Sequence, residues 1–192
     1  MKRLIQFTAA VAMAAAVSAC DNTPDANRTT GTGGTVGTTG SMAADREFVE
    51  EQIAMGTAEI ELGRLAQERG THADVKEFGA MMVRDHQAAG DELKPIAAKV
   101  NAGETAPRNT DRDEHQEELE ELSKLSGKDF DRKYIEEMID DHEEGIKDLE
   151  GKAENAASPE VKQWASKTLP KMREHLERAR TIKQTLDRAN NN

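Results

Sequence analysis

Four titratable residues interrupt apolar stripes in the sequence, and their side chains are of the types that bind transition metals. Glu59, His86, His142 and His175 each stand where the helical spacing of their neighbours would place an apolar side chain. Burying such groups is costly unless they bond to each other, to water or to a metal ion. Imidazole suits Zn, Cu and Fe, and a carboxylate adds negative charge. We predict a metal site at these residues, and keep the alternative of a metal-free Glu–His network that fixes helix register.

The four residues belong to four segments with the periodicity of long amphipathic helices. The long helices and one short helix are predicted at about residues 43–69, 71–101, 110–126, 129–155 and 158–189. Thr71 and Asp74 have the spacing of a capping box at the start of the second helix. We expect the second and fourth long helices to continue through Pro95 and Pro170, because their apolar stripes continue past both.

The position of each titratable residue within its helix predicts that the four side chains meet. Each lies near the middle of its predicted helix, and the midpoints of antiparallel helices of similar length coincide. The side chains should therefore converge in one layer of an all-α fold, a four-helix bundle over residues 42–189. Residues 190–192 are predicted to be a disordered tail.

Neighbouring residues extend the predicted site. Asp85 and Asp141 precede two of the histidines and could bind the metal or accept hydrogen bonds from its ligands. Tyr134, two turns before Asp141, points toward the same region. A methionine also lies about one turn before each of the four residues. Thioethers would suit Cu(I), but methionine is a common filler of helical cores, and we expect packing in layers above and below the centre, by Met55, Met82, Met138 and Met172.

A short motif occurs twice. The residues MVRDH at 82–86 return as MIDDH at 138–142, and Phe78 corresponds to Tyr134. This repeat indicates two related halves, each a helical hairpin, with the second and third long helices as equivalent elements. Two hairpins joined by a long crossover form a ferritin-like antiparallel four-helix bundle, here with a short extra helix in the crossover.

The charge composition argues against nucleic-acid binding. The chain has 26 Lys plus Arg against 37 Asp plus Glu, a net charge of −11. We expect no nucleic-acid partner, because phosphate binding needs a basic patch. The acidic run 113–118 is predicted to be a solvated face of the short helix, which docks through Leu119, Leu122 and Leu125. His72 and His115 lie at polar helix starts and are predicted to be exposed and without function.

The N-terminus predicts export and membrane anchoring. Lys2 and Arg3 precede a short apolar run, so residues 1–19 are predicted to be a signal peptide. The junction before Cys20 resembles a bacterial lipobox, which implies a lipid on Cys20 and attachment to the cell envelope on the periplasmic side. Asp21 slightly favours the inner over the outer membrane. Residues 20–41, rich in Gly and Thr, are predicted to be a flexible tether after the anchor.

Four ordered motifs resemble the family called domain of unknown function 4142. They are AEIELGRLA at 58–66, VKEF at 75–78 with the motif at 82–86, FD at 130–131 with residues 134–142, and LP at 169–170 with His175. The resemblance covers about residues 44–186. It implies a ferritin-like fold in an exported bacterial protein, and the family has no established activity.

Three functions are compatible with these patterns. The first is metal binding for sensing, buffering or storage, with one Zn, Fe or Cu ion. The second is a non-catalytic stress or envelope-interaction module with a structural Glu–His network. The third is a ferritin-like oxidase, which is less well supported because Val83, Ile139 and Met172 stand where such enzymes place glutamate. The chain has no HExxH motif, so the sequence leans away from an enzyme.

Overall fold

The computed structural model describes residues 41–103 and 109–190, with side chains for 41–103 and 115–189. This part of the chain contains no strand. It forms five helices: α1 Met42–Arg69, α2 Ala73–Val100, α3 Asn109–Ser123, α4 Gly127–Asn155 and α5 Pro159–Asn190. The predicted all-helical class is confirmed, and α2 and α5 continue through Pro95 and Pro170. The predicted signal peptide, Cys20, Asp21 and nearly all of the tether lie outside the described residues.

The helices pack as two hairpins. α1 packs along α2 and α4 along α5, while α2 also contacts α5 and α1 also contacts α4. α3 lies against α1 and α4, where Leu122 is buried and Leu119 and Leu125 are half-buried, as the leucine spacing predicted. No helix among the described residues is long and apolar enough to span a bilayer.

Each hairpin turn is held by a buried aspartate from the other hairpin. Asp131, near the start of α4, accepts hydrogen bonds from the backbone N–H groups of Thr71 and His72, both at 2.9 Å. Asp45, near the start of α1, accepts one from the backbone N–H of Ser158 at 2.7 Å. The two hairpins are therefore equivalent, with α4 as the counterpart of α1. The repeated motif lies on α2 and α4, which hold different places in their hairpins, so the predicted equivalence of those two helices is wrong.

The turn between α1 and α2 also corrects the predicted helix start. Thr71 donates its hydroxyl to Asp131, and the N-cap of α2 is His72, whose Nδ1 accepts from the backbone N–H of Asp74 at 3.2 Å. The predicted capping box is absent because a tertiary partner takes the threonine side chain. His72 and His115 are half-buried rather than exposed.

Two apolar clusters fill the interior of the bundle. The Tyr134 cluster includes the end of α1, the beginnings of α2 and α4, and the end of α5, among them Leu62, Phe78, Tyr134, Met138 and Ile182. The Trp164 cluster draws on the opposite segments of the same four helices, among them Phe48, Leu93, Leu149, Trp164 and Met172. Between the two sets of residues, each of the four long helices carries one buried polar residue.

α1 and α2 approach each other closely through glycines. A Cβ on Gly79 would lie 2.6 Å from the carbonyl oxygen of Gly63, and a Cβ on Gly63 would lie 2.7 Å from that of Gly79. Neither position can hold a larger residue without a shift of the backbone. This contact brings the middle of α1 against α2, and so brings Glu59 close to His86.

Candidate metal centre

The structure brings all four predicted site residues together in one central layer. α1, α2, α4 and α5 supply one residue each between the two apolar clusters. The side chains are almost fully buried, with exposed fractions of 1% for Glu59, 9% for His86, 0% for His142 and 1% for His175. Polar groups at this depth need bonding partners, so the geometry among them determines what the layer can do.

The three histidines form a compact group. Their ring centroids lie 5.3 Å (His142–His175), 5.5 Å (His86–His175) and 5.9 Å (His86–His142) apart. Each ring offers one nitrogen, and these nitrogens all lie within 4.8 Å of one another. We call His86, His142 and His175 the histidine group. Glu59 lies beside the group, with Oε1 at 3.5 Å from His142 Nδ1.

Hydrogen bonds determine which ring nitrogens face the centre. His142 Nδ1 lies 2.8 Å from the carbonyl oxygen of Met138, which can only accept, so Nδ1 carries the proton. His175 Nε2 lies 3.0 Å from Asp85 Oδ2 and donates to that carboxylate. Burial lowers the pKa of both rings, that of His175 to about 4, so each is neutral and has a single N–H. His142 Nε2 and His175 Nδ1 therefore hold lone pairs.

These two lone-pair nitrogens face each other at 3.3 Å. Without a proton or a cation between them, the contact is repulsive. Two nitrogens bound to one tetrahedral ion at ~2.0–2.1 Å would lie about 3.3–3.4 Å apart. The observed separation thus matches two ligands of a common ion.

Glu59 and His86 complete the layer. Glu59 Oε2 and His86 Nε2 lie 2.5 Å apart, within ion-pair distance. Among the described residues, neither oxygen of this carboxylate has a partner in hydrogen-bond geometry, and the same holds for His86 Nε2. Burial favours the neutral acid, but electrostatic attraction by the neighbouring histidines, with His86 the largest contributor, outweighs it and lowers the pKa of Glu59 to about 2. Burial also opposes the charged form of His86, but Glu59 outweighs it and raises the pKa of His86. A cation beside Glu59 Oε1 would give this buried oxygen a close partner.

The three additional residues predicted for the site lie in different surroundings. Asp85 accepts from His175 and from Arg84, whose Nε is 2.8 Å away. Asp141 is half-buried and is not among the donors within 4.8 Å; burial and the nearby Glu118 raise its pKa to about 8. Tyr134 is fully buried in its cluster, and its hydroxyl has no hydrogen-bond partner among the described residues.

Glu118 is a site-proximal residue that the sequence interpretation missed. It belongs to the acidic run predicted to be solvated, but its Oε1 is buried and has no hydrogen-bond partner within the described part of the chain. Burial, together with the charge of Glu59, raises its pKa to about 7. One indication of this burial is present in the sequence, because Glu118 directly precedes Leu119, which packs on the core.

The methionines divide between the two sides of the layer, as predicted. Met82 and Met138 are buried in the Tyr134 cluster, and Met172 belongs to the Trp164 cluster. A Cβ on Gly145 would lie 3.6 Å from Met55 Sδ and 3.2 Å from Met172 Cε, so the missing side chain at Gly145 makes room for both.

A groove leads from the surface to the histidine group. It lies between α1, α2 and α5, has a volume of about 820 Å³, and reaches His86, His175 and Asp85. The residue spacing in the sequence does not predict this groove, because its walls come from three helices.

Comparison with known proteins supplies a family and a fold. The model of a family described as "Domain of unknown function (DUF4142)" matches residues 32–182. A crystal structure of a DUF305 fragment from Deinococcus radiodurans is similar in fold, with a TM-score of 0.64 and 16% sequence identity. The similarity covers 75% of this chain and 95% of that chain. No curated protein matches the sequence significantly.

Proposed function

We propose that this chain, which belongs to the DUF4142 family of domains of unknown function, binds one transition-metal ion through His86, His142 and His175. Glu59 would supply negative charge and a possible fourth ligand atom. The observation that carries the proposal is the contact at 3.3 Å between two nitrogens whose protons are held elsewhere. That contact is unfavourable in a metal-free network and favourable around a cation.

The donor set and its surroundings fit an ion of the Zn, Cu or Fe type. Neutral imidazoles with one carboxylate are common ligands of these metals. Metal-bound histidines usually donate their second N–H to a carboxylate or a backbone carbonyl. Asp85 and the Met138 carbonyl stand in these positions toward His175 and His142.

The surrounding fold would be a ferritin-like antiparallel bundle. The two apolar clusters draw on opposite ends of the four long helices, as expected where neighbours run antiparallel. The connection between α2 and α4, which carries α3, would be the long crossover. A ferritin-type oxidase is less well supported, because α2, α4 and α5 carry Val83, Ile139 and Met172 where such enzymes use glutamate.

The bundle would hold its metal at the cell envelope. A signal peptide over 1–19 and a lipid on Cys20 would attach the chain to a membrane, and residues 21–41 would tether the bundle on the periplasmic side. Asp21 favours the inner membrane over the outer. A non-catalytic bundle in this place suits metal sensing, buffering or storage.

Metal content tests the proposal. The protein, purified without a His tag, is offered Zn, Cu, Fe and Mn separately, and bound metal is quantified after desalting. We expect about one ion per chain, lost in the triple variant His86→Ala/His142→Ala/His175→Ala and retained in His115→Ala. A protein that retains no metal, with a triple variant that is only less stable, would instead favour the structural Glu–His network.

A further inference from the structure

The groove beside the histidine group has the size and the walls of a small-molecule site. Its volume of about 820 Å³ lies within the range of roughly 300–1,000 Å³ usual for pockets that hold drug-sized ligands. The lining is mainly apolar, with Trp164, Leu93, Met55 and Met172 among its residues. Trp164 packs edge-on against Phe48 and donates its indole N–H to the Ala89 carbonyl, which holds the ring in place.

Two glycines keep the groove open above His86. Gly90 lies one turn after His86. Apart from the neighbouring turns of its own helix, no atom of the described residues lies within 4 Å of the position where a Cβ would stand. Gly56, on α1, would place a Cβ 3.9 Å from His86 Nδ1. Both line the groove. His86 is also the most exposed member of the central layer, so a molecule in the groove can reach the metal position from this side.

The charge of the proposed metal ion determines which class of ligand the groove would bind. A divalent ion carries two positive charges, and the four buried side chains around its position include one carboxylate, that of Glu59. In a desolvated site such an ion would attract a further anionic donor. The apolar walls favour a hydrophobic body behind that donor. Asp85 lies at the same end of the groove, but Arg84 Nε at 2.8 Å and Lys171 Nζ at 3.9 Å offset its negative charge. Lys171 is also paired with Glu174.

We propose that the groove binds a small amphipathic organic anion, whose oxygen donor completes the coordination of the metal and whose aromatic or aliphatic body packs along Trp164. This inference rests on the proposed metal centre. It assigns the groove a ligand class, and it makes the metal ion a part of the binding site for that ligand.

A pair of probes with the same head and different bodies tests this assignment. Benzohydroxamate and acetohydroxamate share an anionic chelating group, but only the first has an apolar ring. Each is titrated into the zinc-loaded full chain. Fluorescence of Trp164, the one tryptophan in the sequence, reports occupancy of the groove, and zinc content is measured before and after. Gly90→Leu fills the groove, and Gly151→Leu is the matched control, since Gly151 also has open space for a side chain within a helix and does not line the groove.

We expect a saturable fluorescence change with benzohydroxamate, at least tenfold tighter than with acetohydroxamate. It should weaken at least tenfold in the metal-free chain and in Gly90→Leu, and remain within twofold in Gly151→Leu. Equal affinity for the two probes, equal affinity of the metal-free chain, or an unaffected Gly90→Leu variant would overturn the inference while leaving the metal centre intact. A chain that retains no zinc at the start would instead contradict the proposed function.

Discussion

Replacing Asp85 by Asn should weaken metal binding without disturbing the fold. In the structure Asp85 Oδ2 accepts the Nε2–H of His175 at 3.0 Å. This bond holds the ring in the tautomer that presents Nδ1 to His142. Asparagine keeps the size of the side chain but removes its charge, and can turn its NH₂ group toward the imidazole. The wrong tautomer then becomes accessible, and Nδ1 becomes a poorer ligand.

The structure sets the size of the effect. Loss of a partner that orients a metal-bound histidine typically lowers affinity by about 10–100-fold, which corresponds to about 1.4–2.7 kcal/mol of binding free energy. The carboxylate of Asp85 is also shared, since Arg84 Nε lies at 2.8 Å and Lys171 Nζ at 3.9 Å. A carboxylate already neutralised in part is a weaker acceptor, so we expect a loss near tenfold, the lower end of this range.

Competition with a fluorescent zinc chelator at pH 7.5 measures this loss. Asp140→Asn is the control, because Asp140 is exposed, precedes the other repeated histidine by two positions, and loses the same charge. We expect Asp140→Asn to bind zinc within twofold of the unmodified protein. The reasoning is refuted if Asp85→Asn also stays within twofold, or if both variants lose affinity equally.

Three further predictions concern stability and are checked by denaturant unfolding of the metal-free protein. Gly79→Ala should lower the free energy of unfolding by about 1–3 kcal/mol, because its Cβ would lie 2.6 Å from the Gly63 carbonyl oxygen. Gly90→Ala, where a side chain has open space, should raise the free energy of unfolding by about 0.5–1 kcal/mol. A loss of stability in both variants would contradict the close contact between α1 and α2. Asp131→Ala should lower the free energy of unfolding by about 3 kcal/mol, because the turn before α2 loses three hydrogen bonds to a buried carboxylate. A change below about 1 kcal/mol would argue against Asp131 as the residue that holds this turn. Glu118 has a pKa of about 7 in the folded protein, above its ordinary value of 4.5, so its contribution to stability is lost as the pH rises through this interval. Glu118→Gln should therefore raise the free energy of unfolding by about 1–3 kcal/mol at pH 8 and change it little at pH 4; a benefit that is the same at both pH values would contradict the burial of the carboxyl.

The helices and the central layer were predictable because both follow from local periodicity. One titratable residue near the middle of each apolar stripe placed Glu59, His86, His142 and His175 at one height, and the structure brings them together. The leucines of α3 and the division of the methionines followed from the same spacing. These features depend on the helical repeat and on helix length, which a single sequence displays directly.

Features that depend on contacts distant in sequence were missed. The pairing of Asp131 with the turn at Thr71 removed the predicted capping box, because a buried tertiary acceptor outcompeted a local one. The repeated motif was misinterpreted for a similar reason. The equivalence of the two hairpins follows from the contacts of Asp45 and Asp131 with the opposite hairpin turns, which are distant in sequence. Glu118 looked solvated in an acidic run because its burial depends on how α3 docks.

An anomalous-scattering map of crystals grown with the bound metal would test metal binding by the histidine group most directly. We predict one ion at ~2.0–2.1 Å from both His142 Nε2 and His175 Nδ1, with His86 and Glu59 as the remaining protein neighbours. His142 Nδ1 should still bond to the Met138 carbonyl, and His175 Nε2 to Asp85. An ion held by surface carboxylates, with the histidine group empty and those two nitrogens still 3.3 Å apart, would contradict the assignment.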